Sequence, residues 1–255
     1  MFANRLGADA DGGLRSLMSY HVTGFISSLT FLLTLWGLGA QLRLVLGRKK
    51  LAQEGRLGPE QPTSVLSLNQ FVSSFLAFHS FLLYGASLPR FNHYLVWPRL
   101  AASLLTLWIL EEIRRDRRDT PSRAAAAACL LLLLLTPVWV FVSPHLGEWG
   151  QQLAQALVAA VTLVLIQGYL HQVLMIRRSG LTGGVSKRMH QFFLLKDLST
   201  LAFAAAMGWR DGWPLLVLST ASAVTKVVTL WHFRWVRVSP EAADRRSMVG
   251  IQELT

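Results

Sequence analysis

This sequence predicts an all-α membrane protein of seven transmembrane helices, arranged as two parallel three-helix repeats joined by a single helix. Three observations lead there. Of 255 residues, 52% are hydrophobic and only 15% are charged, which is membrane-protein composition. Seven runs of about the length that spans a bilayer cover residues 22–46, 66–86, 95–113, 124–143, 153–176, 189–207 and 213–233. The first and last thirds of the chain also match piece by piece. The expectation is an integral, multi-pass protein embedded in the lipid bilayer, with no room for a separate soluble domain.

Taken in order, residues 1–19 carry Asp9 and Asp11 and have no apolar core, so no cleavable signal peptide is expected. They form an extracytoplasmic segment. Residues 20–113 make a first three-helix bundle, 114–151 a fourth helix with flanking loops, 152–237 a second bundle, and 238–255 a cytoplasmic tail. Orientation follows from the loops. Eighteen Lys and Arg lie in residues 43–63, 114–123, 177–188 and beyond Phe233, against Arg5, Arg15, Arg90 and Arg210 on the alternate side. Basic residues stay in the cytoplasm, which puts the N-terminus outside and the C-terminus inside. The net charge of +11 is thereby read as a topology signal; scattered over short loops, it assembles no nucleic-acid surface. "EEIRRDRRD" from Glu111 reads as a solvated helix end. Cys129 is the sole cysteine and excludes an internal disulfide.

The repeat rests on three matches in the same order. "GLGAQLRLVLGRKK" from Gly37 aligns with "GYLHQVLMIRR" from Gly168, setting Gln41 over Gln172. "NQFVSSFLAF" from Asn69 aligns with "HQFFLLKDLS" from His190, and "WPRLAAS" from Trp97 with "WPLLVLS" from Trp213. Three spans are odd in number, and one unmatched crossing restores the starting side. Both triplets therefore share one orientation, related by an axis along the membrane normal.

The Gln, the basic loop, Ser67 or Ser186 and the Phe-rich helix that follows resemble the PQ-loop and SWEET families, over both triplets. The resemblance implies seven helices as two three-helix bundles around an inversion linker, and transport of small polar solutes by alternating access. The pattern departs from the family at several points. The Pro-Gln signature is Ala40-Gln41 and His171-Gln172, and spans one, two, five and six contain no proline. The Asn that sugar-carrying relatives place after the proline of the last span is here Leu215.

Charges inside the spans are the functional candidates. Lys226 and Asp197 each lie about eight residues, roughly 12 Å, from the cytoplasmic ends of spans seven and six. Pairing would reduce the cost of burying either alone, and the pair reads either as a substrate- or proton-coupling device or as a structural bridge. In the first bundle the corresponding residues are Leu110 and Leu76. Ser219, Ser222, Lys226 and Thr229 share one helical face, as do His190, Asp197 and Thr200. Ser103, Thr106 and His79 are their counterparts in the first bundle. Gln41 and Gln172 stand at matching span ends, as gates that bond free backbone carbonyls or as snorkelling interfacial residues. Lys196 is expected to point about 100° away from Asp197, and Arg99 to reach outer headgroups. The Trp-Pro pairs are expected to begin helices.

No P-loop, GxSxG, HExxH or CxxC motif occurs, so no enzyme and no cofactor is expected. The leading expectation is a transporter of a small polar or charged solute, either a passive facilitator or a carrier coupled to protons through Asp197 and Lys226. A non-transporting receptor or scaffold on the same fold is the alternative. "SAVTKVV" also resembles the Schiff-base lysine segment of microbial rhodopsins, which gives a retinal-binding photoreceptor as a third reading, but span three has no carboxylate counterion before Glu111 and span six has a single Phe after Asp197 to wall a chromophore. Oligomeric state is open, a homo-oligomer included.

Overall fold

The computed structural model describes residues 2–56, 62–64 and 66–248, with side chains from Met18 to Ser247 within those ranges. Residues 249–255 of the expected tail, and the side chains of the expected N-terminal segment before Met18, lie outside the described residues. Within the described residues the chain is helical and contains no strand. The helices are α1 (Phe2–Gln53), α2 (Leu68–Ser87), α3 (His93–Arg117), α4 (Thr120–Val142), α5 (Glu148–Ser179), α6 (Lys187–Ala206), α7 (Trp209–Val238) and α8 (Pro240–Met248), with a 3-10 turn at Ser143–Leu146. The seven apolar runs fall on α1 to α7.

Met18–Gln53, Thr120–Leu146, Glu148–Ser179 and Trp209–Val238 are four segments long and apolar enough to cross a membrane. By the same measure α2, α3 and α6 are long enough at 20, 25 and 20 residues but too polar. The reason is where their polar groups point. Ser73, Ser74 and His79 of α2, Arg99 and Thr106 of α3, and His190 and Asp197 of α6 are all buried. Leu29 and Trp36 of α1, Leu134 and Phe141 of α4, and Val224 and Trp231 of α7 are exposed. Polar inside and apolar outside suits a hydrocarbon solvent, in which a lipid-facing polar group costs several kcal/mol.

Local chemistry sets the helix starts. Oγ of Ser67 and of Ser186, the two matched serines, accepts from the backbone N–H of Gln70 and Met189 to cap α2 and α6. Asn92 and Asp119 cap α3 and α4. The Asp119 carboxyl is held below its usual range, first by the Ser122 side chain and then by its backbone N–H. The Trp-Pro pairs do not begin helices, contrary to the sequence expectation. α3 starts at His93 and α7 at Trp209, so Pro98 and Pro214 sit inside them. A proline has no N–H for the carbonyl four residues back, which frees the carbonyls of Tyr94 and Arg210. Each finds a side-chain donor: Arg99 Nη1 at 2.9 Å and Gln155 Nε2 at 3.3 Å.

α3 packs on both α1 and α2, and α7 on both α5 and α6, while equally extensive contacts run crosswise, α1 with α6 and α2 with α5. Among the described residues the backbones of α1 and α2 stand apart, as do those of α5 and α6, and side chains bridge each gap, Phe31 to Phe78 and Tyr169 to His190. α4 packs on α3 and α2. α8 packs on α5 and α7, where Arg246 Nη1 donates to the carbonyls of Gly180 (3.0 Å) and Val236 (2.7 Å). The charged end of α3 is not simply solvated. Lys49 Nζ pairs with the buried Glu112 carboxylate at 2.7 Å, and Asp116 accepts from the N–H (3.0 Å) and Oγ1 (2.5 Å) of Thr63, which fastens the α1–α2 loop.

The crosswise contacts use the two matched glycines. A Cβ on Gly37 would lie 3.1 Å from Met189 Cα of α6, and one on Gly168 would lie 2.7 Å from the Asn69 carbonyl oxygen and 3.0 Å from Ser73 Cβ of α2. Neighbouring backbone cannot give way like a side-chain tip. Gly168→Ala is therefore expected to destabilise by about 1–3 kcal/mol, the usual cost of overpacking. Gly37→Ala should cost less, and Gly39→Ala, which meets nothing within 4 Å, should be neutral or stabilising. Thermal denaturation of the three purified variants in detergent checks this order; equal melting temperatures for Gly168→Ala and Gly39→Ala would refute it.

Candidate functional site

The site is an interior cavity where α1, α2, α3, α5, α6 and α7 converge; α4 contributes nothing to its lining. Its charged lining residues are Arg99, Lys196 and Lys226, and the rest is aromatic, aliphatic or hydroxyl-bearing. The enclosed volume is about 20 Å³, room for roughly one water-sized particle. That is far too little to hold a chromophore beside Lys226.

Asp197 and Lys226 meet through a hydroxyl rather than directly, which corrects the expected pair. Ser222 Oγ donates to Asp197 Oδ2 at 2.6 Å, and Lys226 Nζ donates to Ser222 Oγ at 2.8 Å. Lys226 Nζ also stands 3.6 Å from the centre of the Tyr169 ring and 5.5 Å from that of Phe193. The direct ion pair of Asp197 is with Lys196, through Oδ1. Adjacent helical residues do diverge by about 100° at the backbone, but the four-carbon lysine stem bends back far enough to return the ammonium to its neighbour. Lys196 is 5% exposed and Asp197 wholly buried.

Arg99 does not reach the headgroups. It is 1% exposed, and its guanidinium carbon lies 4.5 Å from the Phe31 ring centre and 5.9 Å from that of Phe81. Because α3 begins at His93 rather than at the Trp-Pro pair, Arg99 sits more than a turn deeper than the sequence implies, and the carbonyl freed by Pro98 tethers it there.

Of the other candidates only Ser222 reaches the lining. Thr200 Oγ1 contacts Ser27 Oγ at 3.5 Å, tying α6 to α1. Thr106 and Thr229 bond back to the carbonyls of Ala102 and Thr225, each at 2.8 Å. Ser103 and Ser219 are buried with no hydrogen-bond partner for Oγ, and His79 is stacked on Phe75. His190 Nδ1 lies 3.0 Å from the Ser186 carbonyl oxygen, and its ring stands edge-on to Tyr169. These residues share the buried faces of their helices but not the cavity. Sequence reasoning missed Arg99, Lys196, Tyr169 and Ser74. For Arg99 a signal existed: the repeat sets it opposite Leu215, a one-sided charge like Lys226 opposite Leu110.

Gln41 and Gln172 are wholly buried and do not snorkel. Gln41 Nε2 donates to the Gly184 carbonyl at 2.7 Å, and its Oε1 accepts from the Ser186 N–H at 2.9 Å. Gln172 Oε1 accepts from the Ser67 N–H at 2.8 Å, beside a 2.9 Å contact between Ser67 Oγ and His171 Nδ1. Each Gln thus holds the N-cap of a helix in the other third of the chain.

A second, open concavity of about 760 Å³ lies at the start of α3, lined by Tyr20, His21, Asn92, Tyr94 and Asp211 among others. Tyr94 connects the two spaces, since it lines the concavity and its carbonyl receives Arg99. Tyr20, Tyr94 and Phe203 form a cluster with ring centres 5.4 to 6.2 Å apart.

No family model, no curated protein and no solved structure matches this chain.

Proposed function

We propose that this protein is a membrane transporter that moves a small polar or charged solute by alternating access, on a seven-helix scaffold of the PQ-loop and SWEET type. The observation that carries the reading is the position of the cavity. A buried, charged space lined by α1, α2 and α3 from one third of the chain and α5, α6 and α7 from the other lies where a repeat-built carrier binds its cargo. The equivalent placements of α3 and α7, the crosswise glycine contacts and the crosswise Gln bonds support two related three-helix units with α4 as the linker. The loop charges support an outside N-terminus and a cytoplasmic C-terminus.

The test is flux. The purified chain, reconstituted into vesicles, should exchange across the membrane any solute that raises its melting temperature in a screen of amino acids, organic acids, vitamins, nucleosides and small inorganic anions. A solute that stabilises the protein in a cavity-dependent way yet shows no flux would favour the alternative, a non-transporting receptor. That alternative draws support from α1, α2, α5 and α6, none of which contains a proline to serve as a hinge.

A further inference from the structure

Four ionised side chains crowd the centre of the bundle, and their charges do not balance. Arg99, Lys196 and Lys226 are 1%, 5% and 1% exposed, and Asp197 is 0% exposed. Its Oδ2 accepts from Ser222 Oγ, which passes the contact on to Lys226, and its Oδ1 lies in ion-pair contact with the Lys196 ammonium but accepts no hydrogen bond. Arg99 has no share in it. Of the five N–H donors of a guanidinium, Arg99 makes one hydrogen bond among the described residues, to the Tyr94 carbonyl, and its buried Nε has no partner. An arginine does not escape by losing its proton. The rings of Phe31 and Phe81 offset only part of the cost of burying it.

Arg99 lies on α3 and Lys226 on α7, in opposite thirds of the chain, and both line the same cavity. Neither charge is matched in the repeat, where Leu215 and Leu110 hold the corresponding positions. Three cations and no carboxylate line a space of about 20 Å³, close to the size of one water molecule. We infer that this cavity is an anion site, in which Arg99 and Lys226 together hold a small monovalent anion of the size of chloride or formate. A single negative charge there offers an acceptor to the unbonded donors of Arg99 and to the Lys226 ammonium, and so joins helices from both thirds of the chain. The inference rests on the reading of the cavity as the solute site and narrows the solute to an anion.

The experiment is an anion series on the full chain in detergent, at constant sodium concentration, with gluconate replaced stepwise by chloride or by formate. The expected result is a saturable rise in melting temperature, about 5–10 °C at a hundredfold excess over Kd, with chloride or formate and none with gluconate. Arg99→Gln should abolish the rise and Lys226→Gln should weaken it at least tenfold in apparent Kd. Lys50→Gln, an exposed cation, should leave it unchanged. If Arg99→Gln does not fold, Arg99→Lys keeps the charge but loses the planar fork, and the rise should shift to higher anion concentration. Identical melting curves in chloride, formate and gluconate would overturn the site, as would an anion-dependent rise of full size in Arg99→Gln or Arg99→Lys. Anion binding without vesicle flux would leave the site standing and overturn only the transporter reading; flux of a cationic or neutral solute without any anion response would do the reverse.

Discussion

Asp197→Leu is expected to lower stability by about 3–5 kcal/mol, the cost of leaving a buried charge without its partner. Which partner matters is then read from double variants. Because Lys196 holds Asp197 directly and Lys226 reaches it through Ser222, Asp197→Leu with Lys196→Leu should recover at least half of the loss. Asp197→Leu with Lys226→Leu should recover little, since the Lys196 ammonium stays buried and unpaired. Chemical or thermal denaturation in detergent gives all three numbers. Should the Lys226 double variant prove as stable as the wild type, the direct bond is to Lys226 and the arrangement described above is wrong.

Gln41→Leu is expected to cost about 2–5 kcal/mol, because it strands two buried backbone groups, the Gly184 carbonyl and the Ser186 N–H, at about 1–3 kcal/mol each. Gln172→Leu strands the Ser67 N–H and should cost at least about 1 kcal/mol. A glutamine merely resting at an interface would lose well under 1 kcal/mol. The crossing itself is testable by limited proteolysis. Gln41→Leu should open the segment just before Ser186, far along the chain, and Gln172→Leu the segment just before Ser67. Cleavage appearing instead in the loop that directly follows each Gln would mean that the bonds do not cross.

Much of this arrangement was legible in the chain. Apolar runs located α1 to α7, because a hydrophobic stretch of helical length is a local property of the chain. Ser67 and Ser186 marked two helix starts, since a side-chain oxygen there satisfies an otherwise orphaned N–H. The alignment set Gln41 with Gln172, and each accepts from the N–H of a matched serine, Ser186 or Ser67, in the other third of the chain. The start of α3 was misjudged because Trp97-Pro98 resembles a first turn, although Asn92, a good cap, stands before His93. That error alone moved Arg99 from the core to the interface.

By itself, the sequence determined the helical class, the apolar segments and which residues carry charge into them, because hydrophobicity and helical period are local properties of the chain. Only the tertiary structure decided which charges meet. Helical spacing assigns a residue to a face, but contact depends on side-chain reach and on what the facing helices offer. So Lys196 bends back to Asp197, Ser222 stands between Asp197 and Lys226, and Arg99 turns inward to the carbonyl that Pro98 leaves free. The excess of positive charge around the cavity arises from that assembly, since its three cations come from α3, α6 and α7, and no single helix contains it.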